Sequence, residues 1–425
     1  MAQRREGNGE RSFEFRRWLR GEGMSWLSGA AAAFAPFADF ARHFGVLCGS
    51  TRWGAGAGRC RAKGAKEAKA EGTKGTGWVW LLLLLLMVGL GVAAACGAEV
   101  THAISGETMG TTWSVRFRAE GISPQRRDGH REEVQRGLDR LEAQMSNYRG
   151  DSVVSRFNAA RDTNWFAVPV ETARVVSEAL EISRRTEGAF DITVAPLVAL
   201  WGFGPRRRTG VVPADAAIAA ARARVGWRQL EVRATTAGVD ETGAAGAALR
   251  KGIPDLEIDL GGIAKGFAAE VVSELLARRG VTNHLVGIGG DLRARGAGPA
   301  GEGWRVGIEQ PAVAPGVVEQ VVALRDRALS TSGNYRNFFA VGGKRYGHII
   351  DPRTGWPVAA GVASVSVVAK AGARADALAT GLLVLGADGA RRIAEREGVM
   401  MLLLLESGDG RFSQQPAAEW FNFKN

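Results

Sequence analysis

Apolar and polar positions set out most of the chain's elements before any chemistry is considered. Trp113, Val115 and Phe117 alternate with Ser114, Arg116 and Arg118, which predicts a strand. Val134, Leu138, Leu141 and Met145 recur at helical spacing. A second helix is predicted over 171–185, with Val175, Ala179, Leu180 and Ile182 inside. Residues 188–196 alternate again, with Asp191 on the polar side, and read as extended. A loop at 201–205, an Ala-rich helix at 214–224 and a polar loop over 234–252 follow. Leu256, Ile258 and Leu260 then alternate with Glu257 and Asp259, the period of a half-buried strand. That strand runs through Gly261 and Gly262 into a helix with Ala268, Val271, Val272, Leu275 and Leu276 on one face and Gly280 as its stop. Further on, 284–292 reads as one buried strand ending in glycines, 304–308 as another, 328–335 as a small polar loop and 348–357 as an extended turn. A strand at 362–368, a helix at 373–385 and a last buried strand at 400–405 complete the pattern. The fold class is α/β (α+β), with mixed sheets flanked by helices and room for two similar halves. No repeat at solenoid spacing is present.

The N-terminal region departs from this pattern. Residues 1–77 are rich in Ala, Gly and Arg without sustained periodicity, and we assign them no fold; Met24 offers a later start. Residues 78–95 carry no charge and include the leucine run 81–86, long enough for a membrane helix. A basic segment precedes this run, and Ala93-Ala94-Ala95 leads into Cys96-Gly97. That order resembles a secretion signal ending at a bacterial lipoprotein cysteine, with Ala93 where Leu is usual. The alternative is an uncleaved signal anchor. The chain thus divides into an extension (1–77), a signal or anchor segment (78–96) and a globular body (97–425), expected outside the cytoplasmic membrane.

Composition sharpens this division. The formal charge is +11, but residues 1–96 carry 14 Lys/Arg against 7 Asp/Glu, which leaves only +4 for the body. No aromatic-interleaved basic stripe follows, so nucleic acid is not an expected partner. All three cysteines, Cys48, Cys60 and Cys96, precede the body, which therefore holds no disulfide or cysteine-based metal site.

Candidate chemistry gathers in three places. In Asp259-Leu260-Gly261-Gly262-Ile263-Ala264-Lys265-Gly266, a carboxylate, a bare backbone, a helix start and a lysine converge. This suits an anionic ligand, because a helix N-terminus presents unpaired N–H groups; a glycine packing turn fits the same residues. Asp376 and Thr380 are four apart and share a helix face, so they offer two hard oxygen ligands for Mg²⁺ or Ca²⁺, or else a helix-start carboxylate and a packed threonine. His348 is the one histidine in a dense polar motif and suits either proton transfer or a structural hydrogen bond. His130 and His284 read as structural. Gly287-x-Gly289-Gly290-Asp291 fails as a dinucleotide fingerprint, because the third glycine would fall on Leu292. The body contains no G-x-S-x-G, H-E-x-x-H or P-loop motif.

The joint order of these pieces is more specific than any one of them. Met109-Gly110-Thr111, Met145-Ser146-x-Tyr148, Gly188-Ala189-Phe190-Asp191-Ile192-Thr193-Val194 and the Asp259–Gly266 stretch come first. Gly287-x-Gly289-Gly290-Asp291, Ser330-Thr331-Ser332-Gly333, His348-x-Ile350-Asp351-Pro352-Arg353-Thr354-Gly355 and Ala375-Asp376-Ala377-x-Ala379-Thr380 follow. Over about residues 100–415 the chain resembles the ApbE family, the bacterial FAD:protein FMN transferases.

The resemblance implies an ApbE-like fold and a Mg²⁺-dependent enzyme that moves FMN from FAD onto a Ser or Thr hydroxyl, releasing AMP. It implies acceptor flavoproteins such as membrane redox-pump subunits as partners. Carried over by position, Met109, Tyr148, Ala189, Phe190, Asp191, Asp259, Lys265 and Ile350 fall where the family contacts FAD. The Gly262 carbonyl, Asp376 and Thr380 fall where it binds metal, and His348 where it is implicated in transfer. Asp291 and Ser332 lie in family motifs without an assigned role. Two rival readings use the same residues: an FAD pyrophosphatase yielding FMN and AMP, and a non-enzymatic flavin-binding lipoprotein.

Overall fold

The computed structural model describes residues 100–205, 210–234, 247–311, 316–359, 361–407, 411–417 and 419–420. The extension at 1–77 and the signal or anchor at 78–96 lie outside these residues. Among the described residues, no helix is long and apolar enough to cross a membrane.

One eight-stranded sheet organises the body. Its strands are β1 (Val100–Thr108), β2 (Thr111–Ala119), β3 (His284–Ile288), β4 (Asp291–Arg295), β5 (Ala328–Gly333), β6 (Val362–Ala369), β7 (Met400–Glu406) and β8 (Phe412–Pro416). They lie side by side in chain order, and every pairing is antiparallel. Among the described residues, seven α-helices accompany them: α1 (Pro124–Met145), α2 (Val153–Ala159), α3 (Val170–Arg185), α4 (Ala195–Leu200), α5 (Asp215–Arg222), α6 (Ala264–Arg278) and α7 (Gly372–Glu397). A long excursion between β2 and β3 holds α1 to α6 and a three-stranded side sheet.

The sheet is covered on both faces. On one side α1 packs on β1, α6 on β3 and β4, and α7 on β5 and β6. On the other side, the hairpin Trp304–Glu309/Val318–Leu324 supplies Trp304, Val306, Ile308, Val322 and Leu324 to a second core. This explains the unbroken apolar run of β7. Met401 and Leu403 enter the helix-side core, while Leu402 and Leu404 enter the hairpin-side core.

Five segments differ from their pattern. Residues 256–260 bury Leu256, Ile258 and Leu260 as expected but belong to no sheet. In 188–196, Asp191 caps a 3₁₀ turn (Ile192–Val194) leading into α4, and Thr193 is buried rather than solvent-facing. Alternation here comes from a tight turn whose polar side chains are satisfied internally. The 284–292 run is a hairpin, β3–β4, turning at Gly289 and Gly290, both with positive φ. The 328–333 segment is β5, a central strand made of small residues, rather than a loop. Within the loop expected over 234–252, Ala247–Lys251 is a strand paired with Leu230–Ala234.

Candidate active site

A cleft of about 460 Å³ opens where α6, α7, the α3–α4 connection and the 348–352 turn meet, within the usual size range of small-molecule sites. Eleven of the twelve candidate residues line it: Tyr148, Ala189, Phe190, Asp191, Asp259, Gly262, Lys265, His348, Ile350, Asp376 and Thr380. Met109 does not. It occupies the β1–β2 turn with φ 49° and donates its N–H to Glu142 Oε2 at 3.2 Å. Its side chain packs against the main core.

The crossing of α6 and α7 builds the floor. A Cβ on Gly266 would lie 2.2 Å from the Gly372 carbonyl oxygen, and a Cβ on Gly372 would meet Gly266 O equally closely. Only two glycines allow this approach. It lets Gly266 N–H donate to Asp376 Oδ2 at 3.0 Å. Glu270 of α6 also accepts the Gly372 N–H at 2.9 Å, closing one of the unpaired donors at the start of α7.

Lys265 stands between two buried carboxylates. Its Nζ lies 2.7 Å from Asp291 Oδ2 and 3.6 Å from Asp376 Oδ2. Burial alone would lower the Lys265 pKa, but the two carboxylates outweigh it and hold the ammonium charged. Burial, and then the Asp291 charge, pushes the Asp376 carboxyl up; Lys265 and the Gly266 N–H offset this in part. Asp291 therefore anchors Lys265, a contact that its motif alone did not reveal.

Gly262 is close to Thr380: a Cβ there would be 3.3 Å from Thr380 Oγ1 and 3.2 Å from the Phe190 ring. Thr380 Oγ1 in turn lies 2.9 Å from Ser332 Oγ. Gly262, Asp376 and Thr380 all line the cleft and between them offer a backbone carbonyl, a carboxylate and a hydroxyl, the donor types that suit Mg²⁺ or Ca²⁺. Among the described residues, no group of three or more His, Cys, Asp or Glu side chains offers a ready-made metal cage.

His348 is half-buried, and its Nδ1 sits 3.1 Å from the Asn337 carbonyl. A carbonyl only accepts, so Nδ1 carries the hydrogen and Nε2 of the neutral ring is an acceptor. Burial lowers the His348 pKa, opposed by the Asn337 bond and aided by the Lys265 charge. The ring rests edge-on against Phe203, 6.3 Å between centroids, in an aromatic group that continues through Phe339 and Tyr346 to Trp201. Trp201 Nε1 donates to Gly355 O at 2.8 Å and so ties this group to the histidine turn. Asn337 and Phe203 escaped the sequence reading. Asn337 acts through its backbone, and the phenylalanine lay in an unremarkable loop.

The remaining acids differ in availability. Asp191 accepts from Thr193 N, Thr193 Oγ1 and Trp227 N at 2.7–3.0 Å, and burial pushes its pKa up against those bonds. It borders the cleft chiefly as a turn-former. Asp259 accepts the Gly261 N–H at 2.8 Å; burial raises its pKa, and bonds from Gly261 and Asn147 oppose this. Tyr148 stands at the rim, 71% exposed, with its hydroxyl 3.4 Å from Phe203 O.

Residues 109–403 match the ApbE family. The chain belongs to the ApbE family. This ApbE chain is 41% identical over 314 residues to the FAD:protein FMN transferase of Vibrio cholerae serotype O1, spanning 74% of this chain and 90% of that protein. It is 37% identical over 311 residues to the enzyme of the same name from Escherichia coli K12, spanning 73% and 86%. In structure it resembles the flavin transferase ApbE from Vibrio cholerae, with TM-score 0.67 and 38% identity, covering 76% of this chain and 99% of that one. The apo flavinyl transferase ApbE of Pseudomonas stutzeri also superposes with TM-score 0.67, at 36% identity, covering 77% and 97%. The α/β architecture is shared with these ApbE structures.

Proposed function

We propose that this enzyme transfers FMN from FAD to a Ser or Thr hydroxyl of an acceptor protein, forming a phosphoester and releasing AMP, with Mg²⁺ as its metal. The observation that carries the reading is the convergence of Lys265, Asp376, Thr380 and His348 on one cleft, in a chain whose relatives are named FAD:protein FMN transferases. Gly262, Asp376 and Thr380 would hold the ion, and bound there it would neutralise charge on the pyrophosphate oxygens.

The chain's own groups supply the rest. Lys265, kept charged by Asp291 and Asp376, faces the same oxygens and stabilises the charge that grows on them. His348 Nε2 takes the proton of the acceptor hydroxyl as its oxygen attacks the FMN phosphorus. The bond from that phosphorus to the bridging oxygen breaks, and the electron pair departs with AMP. Tyr148 and Phe190 offer ring faces for the flavin or adenine. The acceptors are flavoproteins such as membrane redox-pump subunits. The basic, apolar and small-residue order before Cys96 supports export, with anchoring to the inner membrane and the body in the periplasm.

Incubation with FAD, Mg²⁺ and a candidate acceptor tests the reaction. Flavin fluorescence on the acceptor band is expected, and it should fall by about 10²-fold or more in His348→Ala. Free FMN and AMP without labelled acceptor would show water to be the nucleophile and overturn the transferase assignment. Mass spectrometry of the mature N-terminus tests lipid attachment at Cys96; an unmodified, uncleaved terminus would refute it.

A further inference from the structure

The 256–260 segment lies in no sheet, yet it leads directly into the cleft-lining Asp259 and Gly262. One side chain supplies the missing partner. Asn158, in the last turn of α2, accepts the Ile258 N–H on Oδ1 at 2.8 Å and donates Nδ2 to the Ile258 carbonyl at 2.9 Å. A carboxamide carries one acceptor and one donor group, so it can pair with both backbone groups of a residue as a neighbouring strand does. The next backbone donor, Asp259 N–H, goes to Ile192 O at 2.7 Å. Burial of Leu256, Ile258 and Leu260 holds the segment down but is non-directional, so hydrogen bonds determine where Asp259 stands along it.

Asn158 is itself held from behind. Lys251, only 2% exposed, donates Nζ to Ala160 O at 2.7 Å and to Asn158 O at 3.4 Å, and lies 4.7 Å from the Phe157 ring centroid. A cation at the last carbonyls of α2 is the favourable sign for a helix C-terminus. The buried lysine thus secures the backbone of the residue whose amide reaches the 256–260 segment. Asn158 is not among the cleft-lining residues, so any effect it has on ligand passes through Ile258 and Asp259.

We propose that Asn158 is a positioning residue: by clamping both backbone groups of Ile258 it sets the placement of Asp259 and the Gly261–Gly262 turn in the cleft, and with it the affinity for FAD. This rests on the flavin reading of the cleft. A displacement of about 1 Å can cost on the order of 10²-fold in catalytic rate, and contacts to a bound ligand depend on placement in the same way.

The test measures FAD binding by the full-length chain with Mg²⁺ and no acceptor, through flavin fluorescence quenching below the unfolding transition. Wild type is compared with Asn158→Ala and Asn158→Asp, with thermal unfolding and Ile258 amide exchange followed in parallel. Asp keeps the size of Asn but replaces the donor with an oxygen set against the Ile258 carbonyl, so a packing role would survive it and the clamp would not. Both variants are expected to weaken FAD binding by about tenfold or more, and Asn158→Ala to speed exchange at Ile258. If Ala fails to fold, Asp alone carries the comparison. FAD affinity within about twofold of wild type in the Asp variant overturns the proposal, whatever the thermal stability does. A wild-type chain that binds no FAD refutes the flavin reading itself, and the positioning role with it.

Discussion

His348, the base proposed above, is the residue where hydrogen bonding and burial act together. Asn337 O fixes the Nδ1–H tautomer, and burial lowers the pKa, so the ring stays neutral further into acid than a free histidine would. A base works when unprotonated, so the acid limb of kcat/KM for transfer should fall below the ordinary histidine value of about 6.5. A limb above that value, in an acceptor series measured at constant ionic strength, would remove His348 as the base. Asp291 belongs to the same scale. Its carboxylate is the 2.7 Å partner of Lys265, so Asp291→Asn should lower transfer on the order of tenfold by freeing the ammonium to move. Single-turnover transfer by the folded variant at the wild-type rate would contradict this.

Among elements, the α6–α7 crossing sets the distance between Lys265 and Asp376. Gly266→Ala would push a methyl group into the Gly372 carbonyl, and the cost should be about 1–3 kcal/mol, with weaker metal binding because the Gly266 N–H to Asp376 bond opens. Urea unfolding and Mg²⁺ titration of the variant measure both; an unchanged midpoint would mean that the helices separate freely. The sequence carried the helices well, since α1, α3, α6 and α7 each show a face of 3.6 period. It carried strands less well where their partners lie far away. The 256–260 segment has strand alternation, but a side chain takes the place of a ladder. β5 contains Ser330, Thr331, Ser332 and Gly333, a turn-like composition that becomes a strand only because β4 and β6 flank it. The helix expected over 373–385 stops at the Gly386 kink (φ 72°), and its continuation to Glu397 went unseen, because an isolated glycine inside a helical pattern has several outcomes.

For the whole molecule, burial of polar groups sets the response to acid. His284 is fully buried between Ser273 Oγ at 2.7 Å and Val281 O at 2.9 Å, and burial lowers its pKa to about 4. Unfolded, it would titrate near 6.5, so between these values the unfolded chain binds a proton that the folded chain refuses. Stability should therefore rise from pH 4 to about 6.5 and be lost on acidification, by up to ~3 kcal/mol from this residue. Replacing His284 with Gln should flatten that slope in urea melts; an unchanged slope would assign it to other groups. The cleft was more legible than the fold around it, since eleven of twelve candidates share it. Met109 is the exception, because its motif marks a left-handed hairpin turn whose side chain faces the core.

The chain-order arrangement of the sheet has a consequence in time. The excursion between β2 and β3 leaves and returns at neighbouring strands, where Arg118 N–H meets Asn283 O at 2.9 Å. It can therefore collapse as the polypeptide emerges and already contains Tyr148, Phe190, Asp259 and Lys265. Asp291, His348, Asp376 and Thr380 arrive later, the last two on α7. A nascent chain stopped before residue 376 lacks the Asp376 carboxylate that lies 3.6 Å from Lys265, and lacks Thr380 as well. The proposed site is therefore complete only once α7 has been made, late in the order of synthesis.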